Sequence, residues 1–382
     1  MADYLYTDDD SAATALAARR DPKADRIRWM LGLPDLTRRA GSPVRHLLGR
    51  VLETPCLAGA DDVRFPEIVS TLRNFDLLNA PPDHPSRAPS DTYYIDAGHV
   101  LRTQTTSMWA WYLSDERVRA RLGAEGRVLA VSYGKVYRND EIDRSHYPVF
   151  HQIDALCLAS RDRQIFDIPR LDAILLEVAR TIYGEKVEAR IFDDRFPFTE
   201  PSRQLEVQWN DGWLELVGAG LVHPAVLERL GLDPAKINGW AFGFGLDRLA
   251  MARMQIPDIR ILWSNDDRVT RQFASIDSVY QEVSKYPATE RDISFVVGAE
   301  ASLNDFYEIV RACAEQGGEG IVEAVEHIDR YENAAKFGSG RVSQSFRIRY
   351  RSFLRTLTNE EINAVQAEIR RAVVREIGAE LR

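Results

Sequence analysis

The sequence predicts an α+β protein, with a larger first domain built on a mainly antiparallel sheet and a smaller domain after it. Between residues 127 and 219, short apolar runs outnumber stretches long enough to be crossover helices, which disfavours a doubly wound parallel sheet. The C-terminal part follows the order strand, helix, strand, strand, helix. A chain of 382 residues, 45% hydrophobic and 28% charged, can bury two or three ordinary cores.

In chain order, residues 1–60 form a helical extension, with helices over 11–20 (SAATALAARR) and 43–53 (PVRHLLGRVLE) and no chemical motif. Four prolines among turn formers make 79–92 an extended loop. Runs at 127–138, 149–157 and 212–219 read as strands, and 165–183 and 224–231 as helices, within a first domain of 61–270. A polar linker covers 271–284. The second domain, 285–382, has strands at 291–298, 320–329 and 341–351 and helices at 303–316 and 358–377, the ferredoxin-like split βαβ order.

The net charge of −9 excludes nucleic-acid binding by overall basicity, so any such contact needs a local patch. No apolar run is long enough to span a membrane, and the acidic start MADYLYTDDD lacks the basic character of a targeting segment, so a cytoplasmic protein without a membrane partner is expected. Cys56, Cys157 and Cys313 form no CxxC pair and read as small buried residues.

The stretch 133–154 (YGKVYRNDEIDRSHYPVFHQID) is a strand, a polar loop and a returning strand. It could hold Arg138 on a rigid strand end with His146 in the loop, as a phosphate grip requires, or be a charged surface hairpin. In WAFGFGLDRLAM (240–251), Gly243 and Gly245 precede a helix with Arg248 in its first turn. Such a GxG admits a ligand to the backbone, or simply packs strand on helix tightly. A third glycine is missing where Arg248 stands, which excludes a dinucleotide fingerprint. Walker, HExxH and GxSxG motifs are absent. Phe196 and Phe198, spaced i, i+2, project to one side of an extended chain, as two walls of a pocket for a planar apolar group or as one core face.

Together these stretches resemble the phenylalanyl-tRNA synthetase family of class II aminoacyl-tRNA synthetases, most closely its single-chain, mitochondrial type. The resemblance rests on NFDLLNAPPDHPSR (74–87), DTYY (91–94), LRTQTTS (101–107), VYRNDEIDRSHYPVFHQID (136–154), FPFTEPS (196–202), WLELVGAGLVHP (213–224), GWAFGFGLDRLAM (239–251) and IPDIR (256–260). It implies a class II antiparallel-sheet catalytic domain flanked by helices. The implied reaction makes an aminoacyl-adenylate from ATP and phenylalanine or a related aromatic, then transfers the acyl group to the 3′-terminal adenosine of tRNA.

By motif position, the resemblance gives ATP to Arg138, Asp140, His146, Phe150 and Arg248, with Arg138, His146 and Arg248 catalytic. It gives the amino acid to Gln104, Thr106, Gln152, Asp154, Phe196, Phe198 and Ala241, and Mg²⁺ to Glu200 and Glu215. The family usually has His at Gln104, Ser at Thr106, Glu at Asp154 and at Asp247, and Cys at Ala219. Three of these changes surround one small ligand. A paralogue that activates another aromatic or bulky apolar amino acid for tRNA or another acceptor, and a non-catalytic tRNA-binding relative, therefore stay open beside the parent activity.

Residues 285–382 resemble the ferredoxin-fold anticodon-binding domain of the same family, through KYPATERDISFVV, NDFYEIV and RTLTNEEIN. Within it Arg347, Arg349 and Arg351 alternate with Phe346, Ile348 and Tyr350, which puts three guanidiniums on one face of a strand as a tRNA-binding platform or a solvated sheet face. The domain sums to 14 − 16 = −2, so that face must be segregated from acidic surroundings. The single-chain relatives imply a monomer.

Overall fold

The computed structural model describes residues 2–7, 11–139, 141, 143–210, 212–283, 286–315, 320–352 and 354–382. Contacts divide them into two units: residues up to 137 with 149–254 and 273–278, and 138–148 with 255–272 and 279–382. The grouping cuts across the expected borders. Residues before 61 belong to the first unit, and 138–148 and 255–272 group with the C-terminal module.

The first unit opens with β1 (Asp3–Leu5), α1 (Ser11–Ala18), α2 (Pro22–Gly32) and α3 (Pro43–Leu52). The sequence reading missed α2. Asp21 caps it by accepting from the Ala24 amide, Pro22 suits its first turn, and Ala24, Ile27 and Met30 form its buried stripe. Then come β2 (Asp61–Arg64), the two-stranded ladder β3 (Ile68–Ser70) and β4 (His99–Leu101), α4 (Met108–Tyr112) and α5 (Glu116–Glu125). The main strands follow: β5 (Arg127–Tyr137), β6 (Val149–Ser160), α6 (Ile168–Tyr183), β7 (Ala189–Phe196), β8 (Thr199–Trp209), β9 (Gly212–Val222), α7 (Pro224–Arg229), β10 (Ile237–Gly245) and α8 (Leu246–Met254).

Among the described residues these strands make an eight-stranded sheet in the order β1-β2-β5-β6-β10-β9-β8-β7. The pairings β1–β2 and β2–β5 are parallel and the others antiparallel, as the excess of strands over crossover helices predicts. The central strand β6 is buried from Ile153 to Ala159 because both its faces are covered. α8 packs on it, and α3 packs on α8 and α6. α6 turns Leu171, Leu175, Val178, Ala179 and Ile182 inward at helical spacing.

The second unit contains α9 (Asp267–Thr270), β11 (Thr289–Gly298), α10 (Leu303–Glu315), β12 (Val322–Glu332), α11 (Ala334–Phe337), β13 (Arg341–Tyr350), α12 (Asn359–Ile377) and β14 (Glu380–Leu381). Its sheet order, β12-β13-β11-β14, completes the ferredoxin-like topology with a short last strand. A Thr358–Glu361 capping box starts α12, and Gly378, in the left-handed region at φ 62°, ends it. Phe295, Phe306 and Phe346 centre the core, with the Phe306 and Phe346 rings stacked at 4.1 Å. Within this unit Arg144 pairs with Glu323, and the Asn304 side chain donates to the Asn139 carbonyl at 3.0 Å.

Cys157 and Cys313 are buried as expected, Cys56 is only half-buried, and none of the three is in a disulfide. Among the described residues no helix is long and apolar enough to cross a membrane.

Candidate active site

In an antiparallel sheet, residues directly opposite each other lie on the same face. On β6, Phe150, Gln152 and Asp154 alternate onto one face. Beside Gln152 lie Gly134 of β5 and Gly245 of β10, and beside Asp154 lie Ser132 and Gly243. One strand further out, Gly218 stands opposite Gly243, and Gly220 opposite Ala241. The sequence pattern GFG thus becomes part of a floor of small residues in which Gly245 faces open space, while Arg102 lies over Gly134, Phe196 over Gly218 and Thr199 over Gly220. At Gly243 a Cβ would sit 2.7 Å from Asp154 Oδ2, so any side chain there would push the carboxylate aside.

The polar end of this floor faces the turn Thr105–Ser107 and α4. The Thr106 hydroxyl donates to Asp154 Oδ2 at 2.7 Å, and Trp109 Nε1 donates to Asp154 Oδ1 at 2.9 Å. The carboxylate is almost wholly buried. Burial pushes its pKa up to about 7, and the two hydrogen bonds offset this only in part. Gln152 Oε1 accepts from the Thr105 amide at 3.3 Å, and Gln104 Nε2 reaches the Asn74 carbonyl at 3.5 Å. Fully buried Asn74 holds the turn in place: it donates to Thr103 Oγ1 at 2.9 Å and accepts from Ser107 Oγ at 3.0 Å.

Phe196 and Phe198 form the apolar end. Their rings lie parallel, 7° apart, with centroids separated by 5.9 Å. They touch each other, so they make one continuous wall and not the two walls of a slot. A Cβ on Gly218 would come within 2.9 Å of Phe196 Cζ. Phe198 meets Trp109 edge-on at 5.8 Å and packs on the buried cluster that includes Ala241. The turn between the rings is pinned by Asn79, whose side chain donates to the Pro197 carbonyl at 2.9 Å.

Arg248 is exposed in the first turn of α8. Beside it, buried Asp247 accepts from the His151 amide at 2.6 Å and lies 3.1 Å from His151 Nδ1. Arg138 and His146 belong to the second unit. There the His146 amide donates to Asp143 Oδ1 at 2.8 Å, and its Nδ1 lies 2.7 Å from Asp143 Oδ2. Burial acts to raise the Asp143 carboxyl, but the hydrogen bonds from His146 and Ser145 outweigh it and hold the group far below the usual carboxylate range. Asp140 lies outside the described residues.

Two expectations need correction. Glu200 and Glu215 cannot share a magnesium ion. The β8–β9 hairpin sets Glu215 opposite Glu206, six positions along the strand from Glu200, or about 20 Å at ~3.3 Å per residue. Glu200 lies instead 3.0 Å from His223 Nε2, and no metal-binding cluster of His, Cys, Asp or Glu occurs among the described residues. Arg347, Arg349 and Arg351 do share a face, but not as a bare cationic strip. Arg347 pairs with Asp292 at 2.9 Å, Arg349 with Glu290 at 2.7 Å and Arg351 with Glu323 at 2.8 Å.

The sequence reading missed Trp109, Asn74, Asn79 and the His151–Asp247 pair as parts of the site. The only signal was Asp247 itself, noted as a departure from the family's glutamate.

Sheet and site together define a class II aminoacyl-tRNA synthetase core. Residues 31–273 match the family model described as tRNA synthetases class II core domain (F), and 284–382 the ferredoxin-fold anticodon binding domain. The chain is 39% identical over 325 residues to the chloroplastic/mitochondrial phenylalanine–tRNA ligase of Arabidopsis thaliana, covering 82% of this chain and 71% of that protein. It is 37% identical over 363 residues to the mitochondrial phenylalanine–tRNA ligase of Mus musculus, covering 86% and 76%. With the phenylalanine–tRNA ligase alpha subunit of Prochlorococcus marinus it shares 40% over 231 residues, covering 60% and 65%. The chain belongs to the phenylalanine–tRNA ligase family and is an aminoacyl-tRNA ligase. The cytoplasmic expectation is overturned, since the relatives matched over most of the chain are named mitochondrial or chloroplastic/mitochondrial. Composition cannot separate those compartments.

Proposed function

We propose that this chain activates phenylalanine with ATP and loads the acyl group onto tRNA. The observation that carries the reading is the small-residue floor between a buried carboxylate end, Asp154 with Gln152 and Thr106, and an aromatic wall, Phe196 with Phe198. An α-amino acid with a planar apolar side chain matches both ends. In the first step a substrate carboxylate oxygen attacks the α-phosphorus, and the bond to pyrophosphate breaks. In the second, a ribose hydroxyl of the terminal adenosine attacks the acyl carbon, AMP leaves, and the hydroxyl proton passes to a phosphate oxygen.

The protein contributes position and charge. In this reading Phe150 stacks on adenine and Arg248 neutralises outer phosphates, while Arg138 and His146 carry the family's other phosphate roles. Glu200 and Glu215 lie too far apart along the β8–β9 hairpin to hold one magnesium ion together. The ferredoxin-like module binds tRNA, with Arg347 and Arg349 reaching phosphates by exchanging their present carboxylate partners. The catalytic unit is a monomer in this reading, supported by one chain that carries both the class II core and the anticodon-binding domain.

Charging fractionated tRNA with a mixture of amino acids, then identifying the attached acid, tests the reading. Phenylalanine on one tRNA fraction is expected. Another acid, or none, overturns it.

A further inference from the structure

In the amino-acid site just proposed, Asp154 has neutral surroundings. Its sheet neighbours are Ser132 and Gly243, and its two donors are the Thr106 hydroxyl and the Trp109 indole. The Ser132 hydroxyl is committed elsewhere, to the Val63 carbonyl at 2.7 Å. Burial and two uncharged donors are what set the ionisation of this carboxylate. A carboxylate has room for about four hydrogen bonds, so two leave it short of both partners and positive charge. A substrate ammonium would supply both.

Trp109 stands apart from the other groups at this end of the site. It is fully buried, its Nε1–H is spent on Asp154, and its ring meets Phe198 edge-on. One rigid side chain therefore touches both the carboxylate and the aromatic wall. We propose that Trp109 is a positioning residue for amino-acid selection, which aims the Asp154 carboxylate and keeps it ready for the substrate ammonium while fixing the wall that receives the aromatic ring. The inference rests on the reading of this floor as the phenylalanine site.

Its mechanism has a proton consequence. With Asp154 partly protonated near neutral pH, binding an ammonium requires the carboxylate form, so phenylalanine binding releases a proton to solvent below about pH 7. Trp109→Phe keeps the ring and removes the donor. The neutral acid is then favoured further, and the pH below which binding weakens moves upward.

The experiment measures phenylalanine-dependent pyrophosphate exchange from pH 6 to 9, together with calorimetric titration of phenylalanine in buffers of different ionisation heat. For Trp109→Phe the KM for phenylalanine should rise about tenfold at pH 7, as expected for losing one hydrogen bond to a charged group, and recover at high pH. The KM for ATP should stay unchanged, and proton release should persist to higher pH than in the parent. Should that variant fail to fold, Thr106→Val removes the other donor and should shift the profile the same way, while Thr106→Ser should not. A uniform loss with an unmoved pH profile and no proton release overturns the proposal. A parent protein that exchanges pyrophosphate with no phenylalanine dependence overturns the underlying reading instead.

Discussion

His151 and Asp247 lock the sheet to the helix that carries Arg248. His151 Nε2 accepts from the Leu36 amide at 3.0 Å, so the ring proton sits on Nδ1 and points at Asp247 Oδ1, 3.1 Å away. The His151 amide donates to the other carboxylate oxygen at 2.6 Å. Replacing Asp247 with Ala removes the carboxylate that faces the His151 amide and Nδ1. It should cost about 2–4 kcal/mol of stability in urea unfolding and depress pyrophosphate exchange by displacing Arg248. Full retention of both would mean the pair does not set the start of the helix.

Gly218→Ala puts a methyl 2.9 Å from Phe196 Cζ, so the ring must swing from the wall. The KM for phenylalanine should rise while that for ATP holds. At Gly220 the new methyl would meet Thr199 Cβ at 2.3 Å and the Pro201 carbonyl oxygen at 2.9 Å, the latter being backbone. Gly220→Ala should therefore lower stability, by roughly 1–3 kcal/mol in denaturant unfolding.

Asp143 gives an acid sensitivity with a definite sign. Its pKa is depressed in the folded state, so it stabilises above the unfolded carboxyl value near ~3.9 and that stability is lost as pH falls through the folded value. Asp143→Asn should flatten the acid limb of a pH–stability curve measured by circular dichroism. An unchanged limb would contradict the His146–Asp143 contact.

Arg347 and Arg349 each face a carboxylate directly across the strand pair, Asp292 and Glu290. Solvent screening makes surface pairs of this kind weak, so releasing them for tRNA phosphates costs little. Asp292→Asn with Glu290→Gln should lower the KM for tRNA, and Arg347→Ala with Arg349→Ala should raise it. Pyrophosphate exchange without tRNA should change in neither. If the KM for tRNA is indifferent to both, this face is not the platform.

What the sequence made legible is what local pattern controls. Alternation at 346–350 gave the buried and charged faces of β13, and GFG marked a strand packed so closely that a Cβ on Gly243 would meet Asp154. Pairings between distant segments left no such mark. Trp109 meets Asp154 across 45 positions, and His151 meets Asp247 across 96. Glu200 and Glu215 were joined only by motif position in the family resemblance, whereas the hairpin register puts Glu215 opposite Glu206 and away from Glu200. Phe196 and Phe198 were rightly read as projecting to one side, but spacing alone could not tell that their rings would rest on each other.

Pyrophosphate exchange into ATP across the common amino acids tests the central claim most directly. The account predicts exchange dependent on phenylalanine and faster with it than with any other. No exchange with phenylalanine, or faster exchange with a different amino acid, would contradict it.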